Sequence, residues 1–131
     1  MLNDIQTILI STDEIAARVK EMGTQISADY ADKEILMVGV LRGAVVFMSD
    51  LARAISVPVA IDFMAVSSYG VSTTSSGIVR IMKDLDEEVA GRHILVVEDI
   101  VDTGLTLNYL LDNLRSRKPA SIRLVTLLNK Q

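Results

Sequence analysis

The sequence predicts an α/β domain in which a mostly parallel central sheet is flanked by helices. Two short stretches, 35–40 and 94–97, are continuously apolar, as is typical of parallel strands buried on both faces. Apolar residues at helical spacing precede and follow them. The length of 131 residues is that of one domain, so we expect residues 1–131 to form a single unit.

The first predicted element is a helix that ends near Asp29. Ser11 and Glu14 have the spacing of a capping box at its start. Its buried face then follows at steps of three and four residues, formed by Ile15, Val19, Met22 and Ile26.

A strand–helix–strand unit comes next. The strand 35–40 is followed by a helix-compatible stretch over 44–55, Pro58 prevents any extension, and the stretch 59–66 is rich in residues that favour strands. This order predicts a right-handed crossover between parallel strands.

The segment 67–77 differs from its surroundings because it is polar and built from small residues. Since it buries little apolar surface, we expect a mobile loop, with 78–82 returning as an antiparallel partner. An acidic turn over 84–91 leads to the second buried strand. A leucine stripe then predicts a helix that ends before Pro119, and 122–128 forms the last strand.

Composition excludes several classes of site. The net charge is −4 and aromatic residues make up 4%, so neither nucleic acid nor an anionic membrane is an expected partner. Cysteine is absent, which excludes a disulfide framework or a thiolate nucleophile. His93 is the one histidine, and we interpret it as structural. With no apolar run long enough to span a membrane and no signal-peptide pattern, we expect a cytoplasmic protein.

The stretch 96–106 carries the strongest chemical signal. The second buried strand runs into Glu98 and Asp99, and Asp102-Thr103-Gly104 follows before a helix. A strand end, a glycine, hydroxyls and a helix N-terminus together form a phosphate cradle. Adjacent carboxylates bind sugar hydroxyls or a divalent metal, so the ligand predicted is of the ribose 5-phosphate kind. Asp102 alone would be better read as a helix cap, but a cap does not require the whole string.

This stretch resembles the phosphoribosyl pyrophosphate motif of the type I phosphoribosyltransferases, whose core is Rossmann-like. Over the whole chain the sequence is most similar to the bacterial hypoxanthine-guanine branch of that family. Leu41-Arg42-Gly43 resembles its pyrophosphate loop, Ser68-Tyr69-Gly70 the start of its flexible loop, and 127–130 the strand end that carries its purine-contacting lysine.

The resemblance implies a reaction and its partners. The family transfers the 5-phosphoribosyl group of phosphoribosyl pyrophosphate to N9 of hypoxanthine or guanine, giving IMP or GMP and releasing pyrophosphate. It uses Mg²⁺, and its members are homo-oligomers, commonly dimers or tetramers.

The resemblance also assigns roles to residues. Glu98 and Asp99 match the pair that holds the ribose hydroxyls directly or through Mg²⁺, and Asp102 matches the carboxylate near purine N7 that acts as general base. Lys130 matches the lysine that bonds the purine O6. The 5′-phosphate loop comprises Asp102, Thr103, Gly104, Leu105 and Thr106.

Two of these segments also have a structural interpretation that involves no ligand. Leu41-Arg42-Gly43 is by itself an ordinary strand-to-helix turn, but in the family its first peptide can be cis, so we expect a cis bond between Leu41 and Arg42. The loop that begins at Ser68, Tyr69 and Gly70 is either a disordered connection or a lid that excludes water from the reacting ribose.

The chain departs from the family pattern at its end. Family members continue past the lysine strand with residues that stack on the purine and read its edge, whereas this sequence ends at Gln131. The alternative to an active enzyme is therefore a catalytically impaired module that binds nucleotide or phosphoribosyl pyrophosphate on the same fold. Asp102 and the retained loop favour the enzyme.

Overall fold

A computed structural model describes residues 12–69, 78–101 and 105–129. These residues form three helices and five strands. In chain order they are α1 (Thr12–Asp29), β1 (Ile35–Val40), α2 (Val45–Ala54), β2 (Val59–Tyr69), β3 (Ile78–Lys83), β4 (His93–Val101), α3 (Leu105–Arg115) and β5 (Ser121–Asn129).

The five strands form one mixed sheet in the order β3-β2-β1-β4-β5. β1 pairs in parallel with both β2 and β4, and β4 pairs in parallel with β5. β3 is the one antiparallel strand of this sheet and pairs with β2 at its edge. The predicted mostly parallel sheet, its crossover unit and its antiparallel partner strand are therefore confirmed.

Both faces of the sheet are covered, which explains why the central strands are continuously apolar. Every residue of β1 is buried. One core cluster joins alternate sheet residues to α1 and α2, and the other joins the intervening residues to α3. At Gly39 a Cβ atom would collide with the sulfur of Met48, so glycine allows α2 to lie close against β1.

The parallel strands begin at one level and end at different levels. Ile35, the first residue of β1, pairs with His93, the first residue of β4. His93 in turn pairs with Ser121, the first residue of β5. β1 has six residues, whereas β4 and β5 each have nine and β2 has eleven. At its carboxyl end β1 is therefore shorter than the strands on either side.

The structure corrects the predicted boundaries of two strands. Ser67, Ser68 and Tyr69, expected in the mobile loop, belong to β2, because their backbones pair with Arg80, Val79 and Ile78 of β3. Backbone hydrogen bonds to β3 keep these residues in the strand although they bury little apolar surface. β4 begins at His93 and continues through both carboxylates to Val101. The rest of the predicted loop, 70–77, lies outside the described residues.

None of the helices in the described part of the chain combines the length and the apolar character needed to cross a membrane.

Candidate functional site

The carboxyl ends of the parallel strands lie at one edge of the sheet, and the predicted site residues are at or directly after these strand ends in the sequence. Gly39 of β1 pairs with Val97 of β4, so the end of β1 lies beside Glu98. The strand order reverses between β1 and β4, since β2 lies on one side of β1 and β4 on the other. In open α/β sheets ligands bind outside the carboxyl ends of the strands at such a point.

The turn that follows β1 occupies the space left by that short strand. The peptide bond between Leu41 and Arg42 is cis, as the resemblance to the family predicts. The Leu41 N–H donates to the carbonyl of Met64 on β2 at 2.8 Å, and the Val45 N–H donates to the carbonyl of Arg42 at 3.3 Å. Arg42 and Gly43 are exposed. The predicted pyrophosphate loop is thus tied to the sheet and faces solvent.

The connection from β4 to α3 is three residues long. β4 ends at Val101 and α3 begins at Leu105, so Asp102, Thr103 and Gly104 span the gap but lie outside the described residues. Glu98 and Thr106 are each partly buried and each has an interaction partner. The described flanks have the strand-end-to-helix-start arrangement that a phosphate cradle requires.

The last strand, β5, ends at the same edge, one residue before the predicted purine lysine in the sequence. Asn129 of β5 pairs with Val101 of β4. In the sequence, Asp102 directly follows Val101 and Lys130 directly follows Asn129, and both lie outside the described residues. Gly70 also lies outside them, and for Ser68 and Tyr69 the backbone alone is described.

A buried hydroxyl, that of Ser67, directly precedes the predicted loop residues Ser68 and Tyr69. The side-chain oxygen of Ser67 is buried and has no hydrogen-bond partner among the described residues. Buried polar atoms are rarely left unpaired, so this oxygen is available to a group outside the described part of the chain.

Sequence reasoning missed one buried carboxylate, Asp62 on β2, which is 5% exposed. It accepts hydrogen bonds from the backbone N–H groups of Phe63, Asp86 and Glu87, each at 2.8 Å. The ammonium of Lys83 lies 4.0 Å from it. Asp62 thus fastens the acidic turn after β3 to the middle of β2. Its signal in the sequence is a single charge inside an apolar strand.

His93 lies at the opposite edge of the sheet, away from the predicted site. Its Nδ1 is 2.7 Å from the Ser121 hydroxyl, and its ring meets that of Tyr30 edge-on. Beside them Arg123 donates to the Asp29 carboxylate at 2.7 Å. The bond from Arg123, with a second one from Gln25, holds the pKa of Asp29 below its usual value. The same bond to Asp29 raises the pKa of Arg123.

Two cavities among the described residues lie away from the predicted site. A groove of about 520 Å³ lies between α1 and β5, and a depression of about 250 Å³ adjoins His93. Within the described ranges, no group of three or more acidic or histidine side chains is placed to hold a metal.

Comparison with known proteins identifies the family. The sequence profile of the phosphoribosyl transferase domain matches residues 7–131. The hypoxanthine-guanine phosphoribosyltransferase of Mycobacterium tuberculosis (strain CDC 1551 / Oshkosh) is 54% identical over 133 residues, covering 97% of this chain and 66% of that protein. Its counterpart in Bacillus subtilis is 53% identical over 130 residues, covering 99% of this chain and 72% of that protein.

A solved structure agrees with the sequence comparison. The hypoxanthine-guanine phosphoribosyltransferase of Bacillus anthracis superposes with a TM-score of 0.90 at 42% identity, covering 98% of this chain and 76% of that one. This chain spans just under two thirds of the length of the Mycobacterium tuberculosis relative. By its sequence and by this superposition, the chain belongs to the phosphoribosyl transferase domain family, where it is similar to the hypoxanthine-guanine phosphoribosyltransferases.

Proposed function

We propose that this chain transfers the 5-phosphoribosyl group from phosphoribosyl pyrophosphate to N9 of hypoxanthine or guanine, as a step of purine salvage. The products are IMP or GMP and pyrophosphate. The observation that carries this proposal is the meeting of the turn after β1, the end of β4 and the end of β5 at one edge, where the strand order reverses.

The proposed reaction replaces one bond at C1′ of the ribose with another. The C1′–oxygen bond to pyrophosphate breaks with its electron pair leaving on the pyrophosphate, and purine N9 forms the new bond to C1′. Positive charge builds on the ribose as the leaving group departs, as in glycoside hydrolysis. Asp102 is proposed to accept the purine proton near N7 as general base.

The remaining roles follow the strand ends. Glu98 and Asp99 are proposed to hold the ribose hydroxyls, and residues 102–106 the 5′-phosphate at the start of α3. The turn Leu41-Arg42-Gly43 is proposed to contact pyrophosphate, as are Ser68, Tyr69 and Gly70 when the loop closes. Lys130 is proposed to bond the purine O6 and thus to select 6-oxopurines over adenine.

Magnesium fits the donors at this edge. Mg²⁺ is usually bound by one or two carboxylates together with substrate phosphates and water, so Glu98 and Asp99 suffice without a cage of protein ligands. When bound, the ion would neutralise the polyanionic leaving group, which a chain of net charge −4 does not do by itself.

The setting of the activity is also a proposal. We infer that residues 1–131 act as one phosphoribosyltransferase core domain in a homo-oligomer in the cytoplasm. The cysteine-free composition is compatible with a reducing compartment, and the acidic net charge disfavours nucleic acid as a partner.

The direct test is nucleotide formation by the purified chain. The chain is mixed with phosphoribosyl pyrophosphate, Mg²⁺ and hypoxanthine, guanine or adenine, with parallel reactions that lack one component. We expect IMP and GMP but no AMP, and no product without Mg²⁺. Absence of product together with Mg²⁺-dependent binding of phosphoribosyl pyrophosphate would instead identify the impaired binding module. Absence of both would contradict the proposed function.

A further inference from the structure

Strand β2 has a stretch, residues 62–64, whose outer side lacks a strand partner in the described part of the chain. The ladder between β2 and β3 ends at Ala65, which lies opposite Lys83. Continued in this register, Asp86 would lie opposite Asp62, but β3 has ended there and the chain has entered the acidic turn. Other groups must therefore satisfy the backbone along this stretch.

Two side chains supply the missing partners of Phe63. Its N–H donates to Oδ1 of Asp62 at 2.8 Å, and its carbonyl accepts from the ammonium of Lys83 at 3.3 Å. The N–H and C=O of one strand residue point to the same side of the strand, so both groups of Phe63 face the side that β3 has left. Oδ2 of Asp62 accepts from the backbone N–H groups of Asp86 and Glu87, which ties the acidic turn to the same place.

The same stretch of β2 is bonded to the turn that follows β1. β1 ends at Val40, and the Leu41 N–H then donates to the carbonyl of Met64 at 2.8 Å. Met64 follows Phe63, and its carbonyl faces β1 because the backbone groups of successive strand residues point to opposite sides. Asp62 thus supports one side of this stretch, and the turn after β1 is bonded to the other side.

The support on the outer side is buried and directional. Asp62 is 5% exposed and accepts three backbone hydrogen bonds, so a displaced carboxylate would leave those donors unpaired. The ammonium of Lys83 lies 4.0 Å from the carboxylate and also donates to the carbonyl of Asp84 at 2.9 Å. Hydrogen bonds require defined distances and angles, whereas apolar packing does not. These contacts therefore fix the position of β2 relative to the acidic turn.

We propose that Asp62 is a positioning residue for the pyrophosphate part of the ligand. It fixes residues 62–64 of β2 and, through the Met64 carbonyl, the turn after β1. The proposal rests on the proposed function, in which that turn contacts pyrophosphate. Asp62 acts through the backbone rather than by touching the ligand, so a ligand without pyrophosphate should bind independently of it.

The first test compares ligands with and without pyrophosphate. Asp62→Asn keeps the size of the side chain but replaces one acceptor oxygen with an amide donor. We expect its dissociation constants for phosphoribosyl pyrophosphate and for inorganic pyrophosphate, each with Mg²⁺, to rise by more than about tenfold. The dissociation constant for IMP should change by less than about twofold. Asp86→Asn is the matched control, since the Asp86 carboxylate is 87% exposed in the same turn, and it should bind all three ligands like the parent.

Amide hydrogen exchange tests the coupling to the turn without any ligand. We expect the Leu41 amide of Asp62→Asn to exchange more than about tenfold faster than that of the parent, beyond any change at Ile35. The Ile35 N–H bonds to the Pro58 carbonyl at the other end of the same two strands and reports a general loss of stability. Lys83→Met removes the second support of Phe63 and should give smaller changes in the same direction. It serves as the test if Asp62→Asn does not fold.

Each outcome decides one part of the proposal. Equal acceleration at Leu41 and Ile35, or an unchanged Leu41 amide, would overturn the positioning role whether or not the chain binds substrate. Equal losses of affinity for IMP and for pyrophosphate would overturn the assignment to the pyrophosphate part of the ligand. A parent that binds no phosphoribosyl pyrophosphate would contradict the proposed function, which is a separate result because the exchange at Leu41 requires no ligand.

Discussion

The two edges of the parallel sheet use their polar residues differently. At the amino-terminal edge, where the strands begin at one level, described polar side chains bond to each other: His93 with Ser121, and Arg123 with Asp29. At the carboxyl edge the strands end at different levels. The turn after β1 there exposes Arg42 and Gly43 to solvent.

This difference separates stability from ligand binding. The side-chain pairs at the amino-terminal edge, which we call the flush edge because the strands begin there at one level, hold α1 to the start of the sheet. They require no ligand. The carboxyl edge, where the strands end at different levels, is the edge at which we propose that the ligand binds. Mutations at one edge should therefore change stability, and mutations at the other should change activity. Predictions at Asp102, Ser121 and Asp29 test this division, and one at Asp62 concerns the interior; they are given from the largest expected effect to the smallest.

Asp102→Asn at the carboxyl edge should lower turnover by about 10²- to 10⁴-fold, because the amide cannot accept the purine proton. Stability should stay within about 0.5 kcal/mol of the parent. Nucleotide formation and thermal unfolding are measured on the same preparation. Asp112→Asn is the matched control, since the Asp112 side chain is 78% exposed on α3 and pairs with Arg115. Unchanged turnover in Asp102→Asn would show that Asp102 is not the general base.

Asp62→Ala in the interior should lower the free energy of unfolding by about 2–4 kcal/mol. Its loss removes the acceptor of the backbone N–H groups of Asp86 and Glu87, and each lost hydrogen bond to the carboxylate costs about 1–2 kcal/mol. Denaturant unfolding measures the effect. Asp86→Ala, whose carboxylate is 87% exposed, should change stability by less than about 0.5 kcal/mol. Equal effects of the two variants would contradict the clamp that we assign to Asp62.

Ser121→Ala at the flush edge should cost about 1 kcal/mol of stability, the usual net value of a part-buried hydrogen bond, here that with His93. Affinity for phosphoribosyl pyrophosphate should not change, because Ser121 and the predicted site lie at opposite ends of the strands. Chemical unfolding and ligand titration give the two values. A loss of affinity without a loss of stability would contradict the assignment of stability to one edge and ligand binding to the other.

Asp29→Asn should produce the smallest effect, visible in the pH dependence of stability. The bond from Arg123 places the pKa of Asp29 in the folded chain below that in the unfolded chain. Its contribution is therefore present above about pH 4 and is lost as the pH falls through the folded-state pKa. The stability difference between parent and variant should shrink on acidification. A difference that grows instead would contradict the direction of this shift.

Much of the fold follows from local pattern in the sequence. The six residues of β1 are apolar throughout because helices cover both faces of the sheet, and the structure places the strand at the predicted positions. The spacing of Val19 and Ile26 likewise identifies the buried face of α1. The resemblance to the family assigned the site residues, which stay predictions, and it predicted the cis bond after Leu41, which the structure confirms.

Other features depend on residues distant in the chain, and the tertiary structure alone decides them. Ser67 to Tyr69 have the composition of a loop, yet they form a strand because β3 supplies their backbone partners. In the sequence, Asp62 is a charged residue in an apolar strand with no evident partner. Its partners are the backbone N–H groups of Asp86 and Glu87, which lie 24 and 25 residues further along the chain. Local sequence determines which face of an element is apolar, whereas pairing partners and exposed surfaces arise only when the elements pack together.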